Sequence, residues 1–231
     1  MDLEAKISLL STQSDTGTPE NNTASTSAFI PTPYCYNMLE HPSAAQERST
    51  LNSARASGDH SVSKLTNSLM VHLSHGLAYT VGSALGCSPP SQQECLAAFV
   101  APNKVGLTAG ARAWSKHAHR SGGSETNAVG WWGTPSGPVA TINECALLLF
   151  WRTMSAVSWR NLHWLPHSVL VYEMRMPEGY GMRWSQDQNS LLDDDGKIMD
   201  EKLDQLEERM WTFRGFVEPM MENGHETGWK H

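Results

Sequence analysis

All nine tryptophans of this 231-residue chain lie at or beyond Trp114. Large aromatics dominate buried area, so the core must be assembled mainly from the second half of the chain. Before that point the character is different. Residues 11–60 are rich in Ser, Thr, Asn and Pro, carry few bulky apolar residues and show no sustained periodicity. Such a stretch cannot bury enough surface to offset the entropy of ordering it. The sequence therefore divides into a disordered Ser/Thr-rich segment (1–60), a helical segment that packs on the domain (61–104) and a compact Trp/His-rich domain (105–231). One local exception is Phe29-Ile30 through Tyr34-Cys35-Tyr36, which could dock on the domain.

Periodicity fills in the elements. From Val62 to about Leu85 the apolar positions suit a helix with a break at Gly76. Ser91-Gln92-Gln93-Glu94 reads as a capping box that opens a helix through Phe99. Residues 111–119 are ambiguous between a helix and a short constrained segment. Thr141 is expected to cap a helix whose stripe is Ile142, Cys145, Ala146, Leu149, Phe150, Thr153 and Met154. Ser168–Arg175 is a β-branched and aromatic strand, Pro177-Glu178-Gly179 a turn, and Tyr180–Trp184 the returning strand. Trp211–Val217 reads as a third strand after an acidic insert at 187–208. The expected fold is α+β: an antiparallel three-stranded meander packed on helices, with a disordered N-terminal segment.

Charge and cysteine usage limit the function. The net charge is −7, and residues 187–208 alone carry nine acids against two bases, whereas residues 111–186 carry seven bases against four acids. That balance argues against general nucleic-acid binding, which shows a larger basic excess, and leaves a small anionic ligand as a partner. Cys35, Cys87, Cys95 and Cys145 form no CxxC or disulfide-like framework. The N-terminus lacks the basic and apolar regions of a signal peptide, and no stretch has the length of a membrane span. A cytoplasmic or nuclear location without membrane association is the natural expectation. A protein partner could bind through 1–60 or 187–208.

Strand alternation selects the candidate site. One sheet face is expected to be apolar and the other to gather Glu173, Arg175, Arg183, Arg214 and Glu218. That face could be a salt-bridged solvated surface. It could equally be a site in which Arg175, Arg183 and Arg214, with His117 and His119, bind an anion while Glu173, Glu218 and His225 act as acids or bases. No recognised metal-ligand spacing is present. His163 and His167 are the weak metal candidates, since Pro166 between them rules out a helical pair. No cofactor is indicated, and GxSxG, P-loop and GxGxxG motifs are absent.

The segments Leu107–His119, Trp159–His167, Glu173-x-Arg175, Gly179–Trp184, Phe213–Pro219 and Gly224–Trp229 together resemble an uncharacterised eukaryotic family found in fungi and plants. The likeness covers about residues 105–231. The resemblance implies no established activity and transfers no catalytic residue. Two functions follow from the residues themselves. One is a small-ligand-binding or hydrolase/transferase domain acting on an anionic substrate. The other is a non-enzymatic interaction module with a disordered regulatory arm.

Overall fold

The structure, a computed structural model, describes residues 29–58, 67–118, 130–188 and 210–220. Its class is α+β. The helices are α1 (Ala45–Ala56, preceded by a 3-10 turn at Pro42–Ala44), α2 (Ser68–Ser74), α3 (Gln92–Val100), α4 (Ala109–His117) and α5 (Val139–Ser155). Four strands, β1 (Trp159–Leu165), β2 (Val169–Arg175), β3 (Gly181–Asp187) and β4 (Thr212–Val217), form one antiparallel sheet in the order 1-2-3-4.

The meander therefore has four strands rather than three, because β1 precedes the expected set. Its turn to β2 uses His167 and Ser168 at φ 64° and 54°. Hairpins usually place Gly, Asn or Asp in that left-handed region, so the turn carries none of the usual sequence signal. The open edge of β1 is covered by residues 77–84, which leave the helix and pass through a turn at Thr80 to Ser83. Ala78 N–H donates to Arg160 O (2.7 Å), Ala84 N–H to Leu162 O (2.8 Å), and Trp164 N–H to Gly82 O (3.2 Å). The helix expected over 62–85 is thus limited to α2 among the described residues, and Gly76 at φ 70° ends it.

The two sheet faces differ sharply. Leu162, Leu170, Tyr172, Met174, Met182, Trp184 and Phe213 form a core with α3, α4 and α5. Phe99 of α3 sits at its centre, 5.0 Å from the Phe150 ring and 4.7 Å from that of Phe213. The capping box of α3 is present: Ser91 N–H donates to Glu94 Oε2 (2.7 Å) and Glu94 N–H to Ser91 Oγ (3.2 Å). The start of α5 lies earlier than expected. Pro138 rather than Thr141 is its N-cap, since the fixed φ of proline suits helix entry.

The N-terminal segment requires the larger correction. Residues 29–58 pack on the domain, whereas 1–28 lie outside the described residues. Helix α1 is held by Leu51, which is buried with Leu73, and by Arg48, which binds Glu40 and donates to Leu77 O at 2.8 Å. Ahead of it, Tyr34 N–H donates to Ser158 O (2.9 Å) and Asn37 Nδ2 to Met220 O (2.9 Å). The composition looks coil-like because α1 is secured by one leucine and one ion pair, not by an apolar stripe. Leu51→Ala is therefore expected to destabilise the protein by about 2–4 kcal/mol in denaturant titration, the range for an emptied buried site. An effect below about 0.5 kcal/mol would mean that α1 is not part of the cooperative unit.

Candidate functional site

The face opposite the helices holds a cleft of about 220 Å³. Pairing puts Asn161 of β1, Glu173 of β2 and Arg183 of β3 in one row across the sheet. His163 is two residues from Asn161 on β1 and so shares its face. The cleft is walled by Met38 and Met220 at one end and by Thr80, Val81 and Gly82 along the β1 edge, with Trp164 also lining it.

Glu173 is the buried anchor. Its side chain is 3 % exposed, and its two oxygens are divided between two guanidiniums. Arg175 Nε donates to Oε1 (2.6 Å), and Arg183 approaches Oε2 through Nε (2.7 Å) and a terminal nitrogen (2.5 Å). Burial alone would raise the carboxyl pKa, but the charges of Arg175 and Arg183 together hold it down at about 2. Glu173 is thus a permanent anion at neutral pH and has little basicity with which to take a proton.

The two arginines differ in availability. Arg175, 1 % exposed, also donates to the carbonyls of Gly179 (2.5 Å) and Glu218 (2.7 Å), tying the β2–β3 turn to the end of β4. Its Nε and Nη1 are committed inside the protein. The Arg183 side chain is 23 % exposed and presents the accessible guanidinium of the cleft.

His163 is half-buried. Burial pulls its pKa below 6.5; Glu173 opposes that shift, while Arg183 and Arg175 add to it. At neutral pH the ring is a neutral imidazole able to accept a proton. Behind it, the Asn161 amide donates to Thr80 Oγ1 (2.8 Å) and its oxygen lies 3.1 Å from His72 Nε2. This network fixes the 77–84 strip to β1 and holds the rim beside His163.

The other sequence candidates fall elsewhere. The Glu218 carboxylate accepts from Trp132 Nε1 at 2.9 Å and does not line the cleft. His117 lies on α4, in the helical layer. His167 is exposed at the β1–β2 turn, so it does not join His163 in the cleft. Arg214 is exposed on β4 and outside the cleft lining. His119 and His225 lie outside the described residues. Among the described residues, no three of His, Cys, Asp and Glu come together as a metal-holding group. No helix among them is long and apolar enough to cross a membrane. Asn161 and Trp164 are the site members that sequence reasoning missed. No local pattern marked them, because the turn that pairs 159–165 with β2 uses His167 and Ser168 at positive φ.

Residues 99–191 match the family model of the CdiA C-terminal tRNase toxin domain. The match covers less than half of the chain, yet it contains β1, β2 and β3 whole, with Asn161, His163, Glu173, Arg175 and Arg183. No curated protein and no solved structure matches the chain.

This match corrects the expectations of family, function and partner. The resemblance to an uncharacterised eukaryotic family is overturned, since segments that carried it, such as Trp159–His167 and Glu173-x-Arg175, fall inside the tRNase match. Neither a domain for a small anionic ligand nor a non-enzymatic interaction module agrees with a family of tRNA-cleaving domains. The exclusion of nucleic-acid binding falls with them. It rested on reading the excess of three bases over 111–186, beside a strongly acidic 187–208, as too small for a nucleic-acid binder.

Proposed function

We propose that this chain is a ribonuclease that cleaves tRNA in the β-face cleft. The observation that carries the reading is the pairing of a partly exposed Arg183 guanidinium, clamped on buried Glu173, with the neutral imidazole of His163 in one cleft. The match to a tRNase family over the same strands supports it.

The residue types suit phosphodiester transfer within RNA. His163 takes the proton of a ribose 2′-hydroxyl, and the 2′-oxygen attacks the adjacent phosphorus. The P–O5′ bond breaks as the 2′-O–P bond forms, and the departing 5′-oxygen takes a proton from water in the open cleft. The products are a 2′,3′-cyclic phosphate and a 5′-hydroxyl. Arg183 meets the charge that builds on the non-bridging oxygens. Its orientation is set in advance by Glu173, which acts as a positioning residue and carries no proton. Trp164, 45 % exposed at the rim, offers an aromatic face on which an unpaired base can stack.

The pH dependence of tRNA cleavage tests the role of His163. The base works when deprotonated, so kcat/KM should rise with pH through the His163 pKa and then level off. Because that pKa lies below 6.5, the midpoint of the acid limb should also lie below 6.5. A rate that keeps rising above pH 7, or an acid limb that survives in His163→Ala, would remove His163 from this role.

A further inference from the structure

A β-bulge puts one more arginine in line with the cleft. Gly181, Met182 and Arg183 of β3 pair with Val217, Phe216 and Gly215 of β4, but Trp184 pairs with Phe213. Arg214 is therefore the extra residue, and Arg214 and Gly215 together oppose Arg183. The rings of Phe213 and Phe216 both join the helix-side aromatics, 5.6 Å apart, which the bulge alone allows at a spacing of three. Gly215 permits it by taking φ 138°, a conformation closed to ordinary side chains.

The consequence is a row across the sheet that ends in the exposed Arg214. Arg214 stands one strand beyond Arg183, a spacing of about 4.8 Å between strand axes. It is exposed and makes no hydrogen bond or ion pair among the described residues. β4 is the edge of the sheet. Helix α4, which packs on β4, carries exposed Arg112 and Lys116 and no acidic residue. An exposed arginine held by a glycine-dependent bulge beside a phosphate-binding arginine has the chemistry of a second backbone-phosphate contact.

We propose that Arg214 binds a backbone phosphate neighbouring the one held by Arg183, so that the RNA strand crosses the sheet from the β1 rim to the β4 edge. The inference rests on the ribonuclease reading, and it makes the substrate a polynucleotide rather than a single nucleotide.

The test compares tRNA with a dinucleoside monophosphate, which has only the scissile phosphate. Arg214→Ala should lower the ratio of kcat/KM for tRNA to that for the dinucleotide about tenfold, and Arg214→Lys should recover part of the loss. Binding is measured separately, in the His163→Ala background, as tRNA affinity against salt. The slope of log affinity on log salt should become shallower by about 0.7 when one single-strand phosphate contact is removed. An unchanged ratio and slope would overturn the proposal. So would a lowered Tm in Arg214→Ala with neither readout changed, which would assign Arg214 to folding. A wild type that binds tRNA with the Arg214-dependent slope but cuts neither substrate would sink the ribonuclease reading and keep the contact.

Discussion

Glu173→Gln is expected to destabilise the protein by about 3–5 kcal/mol at pH 7, because it leaves a buried guanidinium without its counter-charge. Arg175 is 1 % exposed and cannot turn to water, so the loss falls mainly on that pair, while Arg183 at 23 % exposure is partly rescued by solvent. The pH dependence follows from the same carboxylate. Its folded pKa, about 2, is depressed from 4.5, so its contribution is present in full above 4.5 and disappears as the pH falls toward 2. That contribution is roughly 3 kcal/mol at one pKa unit per 1.4 kcal/mol. Denaturant titrations of the wild type should show this loss between pH 4.5 and 2, and those of Glu173→Gln should lack it. Equal stabilities at pH 7 would mean that the Glu173–Arg175 pair is not the anchor of the cleft.

The second large effect concerns Arg183. Its guanidinium is the more exposed of the two in the cleft, so on the ribonuclease reading Arg183→Ala removes the group that meets charge on the phosphate in the transition state. Losing one such donor lowers kcat by about 10²–10³-fold. Arg183→Lys should recover only part of this, because an ammonium cannot hold Glu173 through a fork and present a second nitrogen to the substrate. The thermal stability of Arg183→Ala should fall much less than that of Glu173→Gln, since Arg175 still faces the carboxylate. A kcat within threefold of the wild type would place the phosphate elsewhere.

How far the sequence could be read depended on whether neighbours cooperated with local pattern. The β2 strand, the α3 capping box and the stripe of α5 are local signals, and they appear where expected. Alternation along β2 and β3 was enough to place Glu173, Arg175 and Arg183 on one face. It could not supply β1. Trp159 and Trp164 sit at opposite parities, which hides the period of two, and the turn after Leu165 uses His and Ser at positive φ. The apolar run from Leu65 to Val81 reads as a helix, although the chain leaves the helix at Gly76 and turns again at Thr80 to Ser83.

Helix α1 escaped notice for another reason. Its buried contacts include the ion pair of Arg48 with Glu40, which lies ahead of the helix, and such a pair leaves no apolar periodicity. The segments were counted separately, and nucleic acid was set aside because an excess of three bases over 111–186 looked too small. A chain of net charge −7 can carry a net basic segment when 187–208 holds nine of its 24 acids against two bases.

The most direct measurement of the central claim is the chemistry of the cut ends. Purified protein is incubated with tRNA, and the fragments are analysed for their termini, with His163→Ala and Arg183→Ala alongside. The account predicts fragments ending in 2′,3′-cyclic phosphate and beginning with 5′-hydroxyl, formed by the wild type and reduced about 10²-fold or more in each variant. Intact tRNA after incubation with the wild type, or the same fragments at undiminished rate from His163→Ala, would contradict it.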